Sequence, residues 1–149
     1  MPKSLRAAPN RSELLTRLAA LSPDSRPAWG KMSAGQMLCH LADSMRMTLG
    51  ELPTRSKGKV AFQRFPLKHL ALYVVPWPKG APTAPELLST APAEFAADAD
   101  RLRSLMERVA EARDEGQWPE HPLFGRLSGA QWGHLSYRHI DHHFRQFGV

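Results

Sequence analysis

Ser128-Gly129-Ala130-Gln131-Trp132-Gly133-His134-Leu135-Ser136-Tyr137-Arg138-His139-Ile140-Asp141-His142-His143-Phe144-Arg145-Gln146-Phe147 decides both the fold class and the chemistry of this 149-residue chain. It opens as a capping box, in which Ser128 accepts from an orphan backbone N–H and Gln131 reaches back to the N-cap. No proline or helix-stopping glycine interrupts it before Gly148. At about 100° per residue, Trp132 falls about 20° from His139, His143 about 40°, and Leu135, Gln146 and Ser136 within about 60°. Asp141, Arg138, Arg145 and His134 point away. The spacing predicts a helix with His139 and His143, at i and i+4, on its apolar face.

Working outward, the same capping box recurs at Ser33-Ala34-Gly35-Gln36. It predicts a helix to about Leu49, stopped by Gly50, with Leu38, Leu41, Met45 and Leu49 as its stripe. Phe95, Ala99, Leu102, Met106 and Val109 repeat at 4-3-4-3 spacing, the seam of a packed helix ending by about Arg113. An earlier helix starts at Asn10 or Ser12 on the stripe Leu14, Leu18 and Leu21. Between these, Leu67–Val74 suits a short helix with Pro66 in its first turn, although Leu70–Val75 also has strand-like content. The stretch 76–92 holds five prolines and reads as extended loop. Four main helices in one domain, residues 1–149, make an all-α four-helix bundle the default fold, with a Pro-rich loop and short-helix insertion in the middle.

Composition is that of a globular protein: 42% hydrophobic and 23% charged, which argues against disorder. One cysteine, Cys39, allows no intrachain disulfide and fits a reducing cytoplasm. Neither a signal-peptide stretch nor a membrane-length apolar run is present, so a cytoplasmic location and no membrane are expected. The net charge of +6 is uneven. Residues 1–85 carry a balance of +9 and residues 86–149 a balance of −3. From Leu52 to Pro85 no acidic residue occurs, while Arg55, Lys57, Lys59, Arg64, Lys68 and Lys79 do. Such a block can face nucleic acid or an acidic partner. It equally suits a solvated surface, and without an RNA-binding signature or zinc-finger spacing the solvated reading is preferred.

Seven histidines are the other unusual feature. Two imidazoles one helical turn apart can chelate a divalent metal, and equally can be hydrogen-bonded core residues. A third ligand decides between these readings. His40 shares a helix face with Gln36 and Ser44 beside the apolar stripe, so it can point into the bundle. Three histidines from two helices leave positions open for water or substrate, as in a catalytic zinc-type site. The pair lacks the glutamate of HExxH, so a metalloprotease is not expected. His142 suits a supporting or structural role. Gln146 can hydrogen-bond a ligand or a metal-bound water. His121 can reach the bundle mouth or serve as a solvent or capping residue. Gln36 and Trp132 complete the candidate pocket, together with Trp29 and Trp118. Cys39 lies about 100° around its helix from His40, which disfavours ligation. His69 and His134 read as surface residues.

The chain resembles the DinB/YfiT-like superfamily of metal-dependent enzymes. The likeness rests on Trp29-Gly30-Lys31-Met32-Ser33, on Gln36-Met37-Leu38-Cys39-His40-Leu41-Ala42-Asp43, and on His121-Pro122-Leu123-Phe124-Gly125 through Phe147. It covers nearly the whole chain, is specific at both ends, and points to a subgroup called a domain of unknown function. The resemblance implies an up-down-down-up bundle, often a homodimer, and a zinc or nickel ion held by His40, His139 and His143. Characterised relatives include thiol-dependent S-transferases and a mycothiol-dependent maleylpyruvate isomerase, so a low-molecular-weight thiol is an expected cosubstrate. No thiol-binding motif is carried over.

The expected function is a metal-dependent transferase or hydrolase that activates a water or a thiol against a small-molecule substrate. The basic balance hints that this substrate is anionic. The alternatives are a non-catalytic protein that binds nucleic acid or an acidic partner through its basic segment, and a metal-sequestering bundle without turnover.

Overall fold

Ser33 and Ser128 both form the complete capping box, each side chain accepting from the N3 backbone while the N3 glutamine returns to the cap. They open α2 (Ala34–Thr48) and α5 (Gly129–Gln146) at the positions the sequence indicates. Gly50, with φ +77°, takes the left-handed conformation that stops α2. The computed structural model describes residues 1–55, 59–114 and 116–149. Lys57 of the basic block lies outside them.

The described residues form a predominantly helical fold with five α-helices and no strands. α1 (Ala8–Ala19) starts earlier than Asn10 or Ser12, and no side chain caps it. Pro9 sits in its first turn, where a missing N–H costs nothing. α3 (Leu67–His69) widens into a π-type turn over Leu70–Val74, so the strand-like content there resolves as helix. A 3-10 turn at Pro85–Leu88 is the regular part of the proline-rich stretch. α4 runs from Phe95 to Glu111.

α2 packs on α4 and α5, and α1 packs on the same two helices. Their stripes share one core: Leu14 and Leu18, Leu38, Leu41 and Met45, Leu102, Met106 and Val109, Ile140 and Phe144. Each such side chain contributes about 1.5–3 kcal/mol by leaving water.

A second apolar cluster lies on the far side of α2 and α5. Met47 of α2 and Trp132 and Leu135 of α5 meet Leu72 and Leu87 from the middle segment and Phe124 and Leu127 from the α4–α5 loop. The middle segment is therefore a roof over two helices. His134, expected at the surface, is buried, and this corrects the sequence reading. Its ring bridges the carbonyls of Lys3 and Leu72 and stacks on Tyr73, a partner that helical periodicity does not reveal. Arg138, next to it, donates to the carbonyls of Ala71, Leu72 and Val75. His69 stays exposed, as expected.

Candidate metal centre and its cavity

α5 presents His139 and His143 one turn apart, and α2 presents His40 opposite them. The three imidazole rings form a near-equilateral triangle, with centroids 4.8, 4.8 and 5.0 Å apart. One nitrogen from each ring lies within 4.8 Å of the other two, a grouping that could hold a metal ion. His40 Nε2 is 2.9 Å from His139 Nε2.

Hydrogen bonds fix two of the tautomers. His40 Nδ1 lies 3.0 Å from the Leu87 carbonyl. That oxygen only accepts, so Nδ1 carries the proton and Nε2 keeps its lone pair. Gln146 Nε2 donates to the Trp29 carbonyl at 2.7 Å, which turns its Oε1 toward His143 Nδ1, also at 2.7 Å. His143 therefore donates from Nδ1 and keeps a lone pair on Nε2. Such outer partners orient metal-binding histidines.

Burial keeps the rings neutral. It lowers the His40 pKa, against opposing help from Leu87 and Asp43. It lowers that of His143 to about 4, aided by the charge of His40. His139 is held well below 6.5, first by burial and then by its histidine neighbours. Neutral imidazoles are the form that ligates a metal.

The triangle borders a cavity of about 1320 Å³ between the helices and the roof. Gln36, His40, His121, Trp132, His139, His142, His143 and Gln146, all singled out in the sequence, line it. Trp29 does too, whereas Trp118 stacks against Arg6 instead. Cys39 is buried beside Asp98, its thiol pKa raised by burial, and is absent from the cavity wall.

A family model described as "Protein of unknown function (DUF1569)" matches residues 2–148. The chain belongs to the DUF1569 family. Comparison with curated proteins and with solved structures gave no match.

In this DUF1569 chain the loop before α5 contributes His121. A tight turn, closed by paired bonds between the His121 and Gly125 backbones, folds the ring onto itself. Nδ1 accepts from the Leu123 and Phe124 N–H groups at 3.0 and 3.2 Å. The neutral ring must then carry its proton on Nε2. Burial, with Lys68 nearby, lowers the pKa to about 4. A proton on His121 would act against one on His139, the last of the causes that lower the His139 pKa.

His142 makes edge contacts with Trp29 and His143. The basic residues are partly committed elsewhere: Lys68 donates to the Arg126 carbonyl, and Lys79 lies 4.6 Å from the Trp29 ring. Three features had no sequence signal of this role. Trp77 lines the cavity and touches His139 and His142. The Leu87 carbonyl orients His40. Gly30, at φ +79°, leaves room for Gln146, whose Nε2 would lie 2.8 Å from an added Cβ.

Proposed function

We propose that this protein is a divalent-metal-dependent enzyme with His40, His139 and His143 as the ligands. The observation that carries this is the paired tautomer control. The Leu87 carbonyl and the Gln146 amide each occupy an Nδ1–H and leave an Nε2 lone pair beside His139. Nitrogens bound at about 2.0–2.1 Å to one ion stand up to about 4.2 Å apart. The His40–His139 pair already lies inside that limit, and the ligand nitrogens all lie within 4.8 Å of one another, about 0.6 Å beyond it at most. Three neutral histidines suit zinc or nickel and leave coordination open. Such an ion supplies Lewis acidity, lowering the pKa of a water or a low-molecular-weight thiol at neutral pH.

The protein's own residues hold this corner. Gln146 and Leu87 aim the imidazoles, and Trp29, Trp77 and Trp132 wall the cavity beside them. Transfer to or from a thiol and hydrolysis both suit the arrangement. The contacts of α1, α2, α4 and α5 suit an up-down-down-up four-helix bundle, in which residues 49–94 provide the long return that two parallel helices require. Likeness to DinB/YfiT-like enzymes adds a cytoplasmic homodimer to this reading.

The test is elemental analysis of tag-free protein after reconstitution with zinc or nickel. The expected result is one ion per chain in the wild type and loss of it in His143→Ala and in His40→Ala. A wild type that holds no metal above those variants would end the proposal.

A further inference from the structure

Among the described residues that line the cavity there is no aspartate or glutamate. The wall is mostly apolar, and the histidines are its main cluster of titratable groups. Lys31 is the charged side chain on the wall, and Lys79 stands nearby against Trp29. A cationic ligand would find no carboxylate here, and burying an unpaired charge is costly. A divalent ion held by three neutral imidazoles would have no carboxylate among its ligands; the carboxylate that acts on His40, Asp43, lies behind the wall and is bonded by Thr90.

Two polar groups on the cavity wall, His121 and Ser136, keep a spare donor. The turn at His121–Gly125 uses up His121 Nδ1 as an acceptor and leaves Nε2–H as a donor on the cavity wall. Ser44 and Thr48 donate back to α2 carbonyls. Ser136 differs: its Oγ is buried and, among the described residues, has no hydrogen-bond partner. Such an orphan group has a donor to spare for a water or a ligand that reaches it. The volume, about 1320 Å³, exceeds the usual range of roughly 300–1,000 Å³ for small-molecule pockets.

We infer that the cavity takes an amphipathic organic acid, its carboxylate received at the three-histidine corner with Nε2–H of His121 and the Ser136 hydroxyl as donors, and its apolar body under the roof. This inference rests on the metal-centre reading above. It names the ligand class of that centre.

Decanoate, decanol and decylamine, which share one chain and differ in head group, are the probes. Binding is followed by fluorescence of the cavity tryptophans and by calorimetry on zinc-loaded full-length protein, with zinc content measured on the same samples. Decanoate is expected to bind at least about tenfold more tightly than decanol or decylamine. His121→Phe keeps the apolar volume, and Ser136→Ala removes only the hydroxyl. Each should cut that preference about threefold or more while zinc content stays at the wild-type level. Equal binding of the three probes, or an undiminished preference in both variants, would overturn the ligand assignment and leave the metal centre standing. Failure of the wild type to take up zinc would overturn the metal centre, and the assignment with it.

Discussion

His143 Nδ1 lies 2.7 Å from Gln146 Oε1, and the same amide reaches the Trp29 carbonyl from its other end. One side chain thus sets the tautomer of a candidate ligand and ties α5 to the loop before α2. Gln146→Leu removes both bonds at nearly constant volume. Metal affinity should fall about 10–100-fold, as when other outer partners of ligating histidines are lost. Competition with a chromogenic chelator measures this, and unchanged affinity would remove Gln146 from the site.

Gly30 is required for that tie. An alanine there must hold φ +79°, which costs a side chain about 1–2 kcal/mol, and its Cβ meets the Gln146 amide. Gly30→Ala should therefore lower the urea midpoint and weaken metal binding together. If stability drops while metal affinity is kept, the loop and the metal centre are uncoupled.

Acid should destabilise the metal-free protein before its carboxylates titrate. Unfolded histidines take up protons near pH 6.5, whereas His121 and His143 resist until about 4. Between those values the unfolded chain binds more protons. The contribution of each ring is therefore whole above about pH 6.5 and falls by up to about 1.4 kcal/mol per pH unit as the pH drops toward 4. Urea midpoints at pH 7, 6 and 5 should decline in the wild type and decline less in His121→Gln. Parallel slopes would contradict the assignment of His121 as a ring that folding keeps neutral.

Ser128→Ala tests whether the cap and the site are separable. Losing the capping box should cost about 1 kcal/mol of stability. Because His139 lies nearly three turns into α5, metal stoichiometry should not change. Thermal unfolding and metal analysis of one preparation answer both parts.

The helices were legible because caps and stripes are local. Ser33 with Gln36, Ser128 with Gln131, and the repeat from Phe95 to Val109 each lie within a few turns of chain. The grouping of the three histidines was legible for a related reason. At i and i+4, His139 and His143 must share a face, and His40 sits beside an apolar stripe. His134 defeated the same logic. It points away from the face of His139, and only a roof folded from distant residues buries it. The Leu87 carbonyl was invisible because backbone oxygens leave no mark on residue identity. The starting point of α1 at Ala8 was missed because Pro9 permits a first turn without a recognisable cap.

Besides the buried side chains of Leu72 and Leu87, the roof is fastened through its main chain. His134 and Arg138 grip the carbonyls of residues 71, 72 and 75, and Leu87 offers its carbonyl to His40. Carbonyl oxygens are the same whatever side chain follows them. Leu67, Leu70 and Val75 can therefore be exchanged for other apolar residues without loosening the attachment or the histidine corner. The protein is built like a socket with a replaceable liner: the cavity's shape can be redrawn while the three histidines stay where they are.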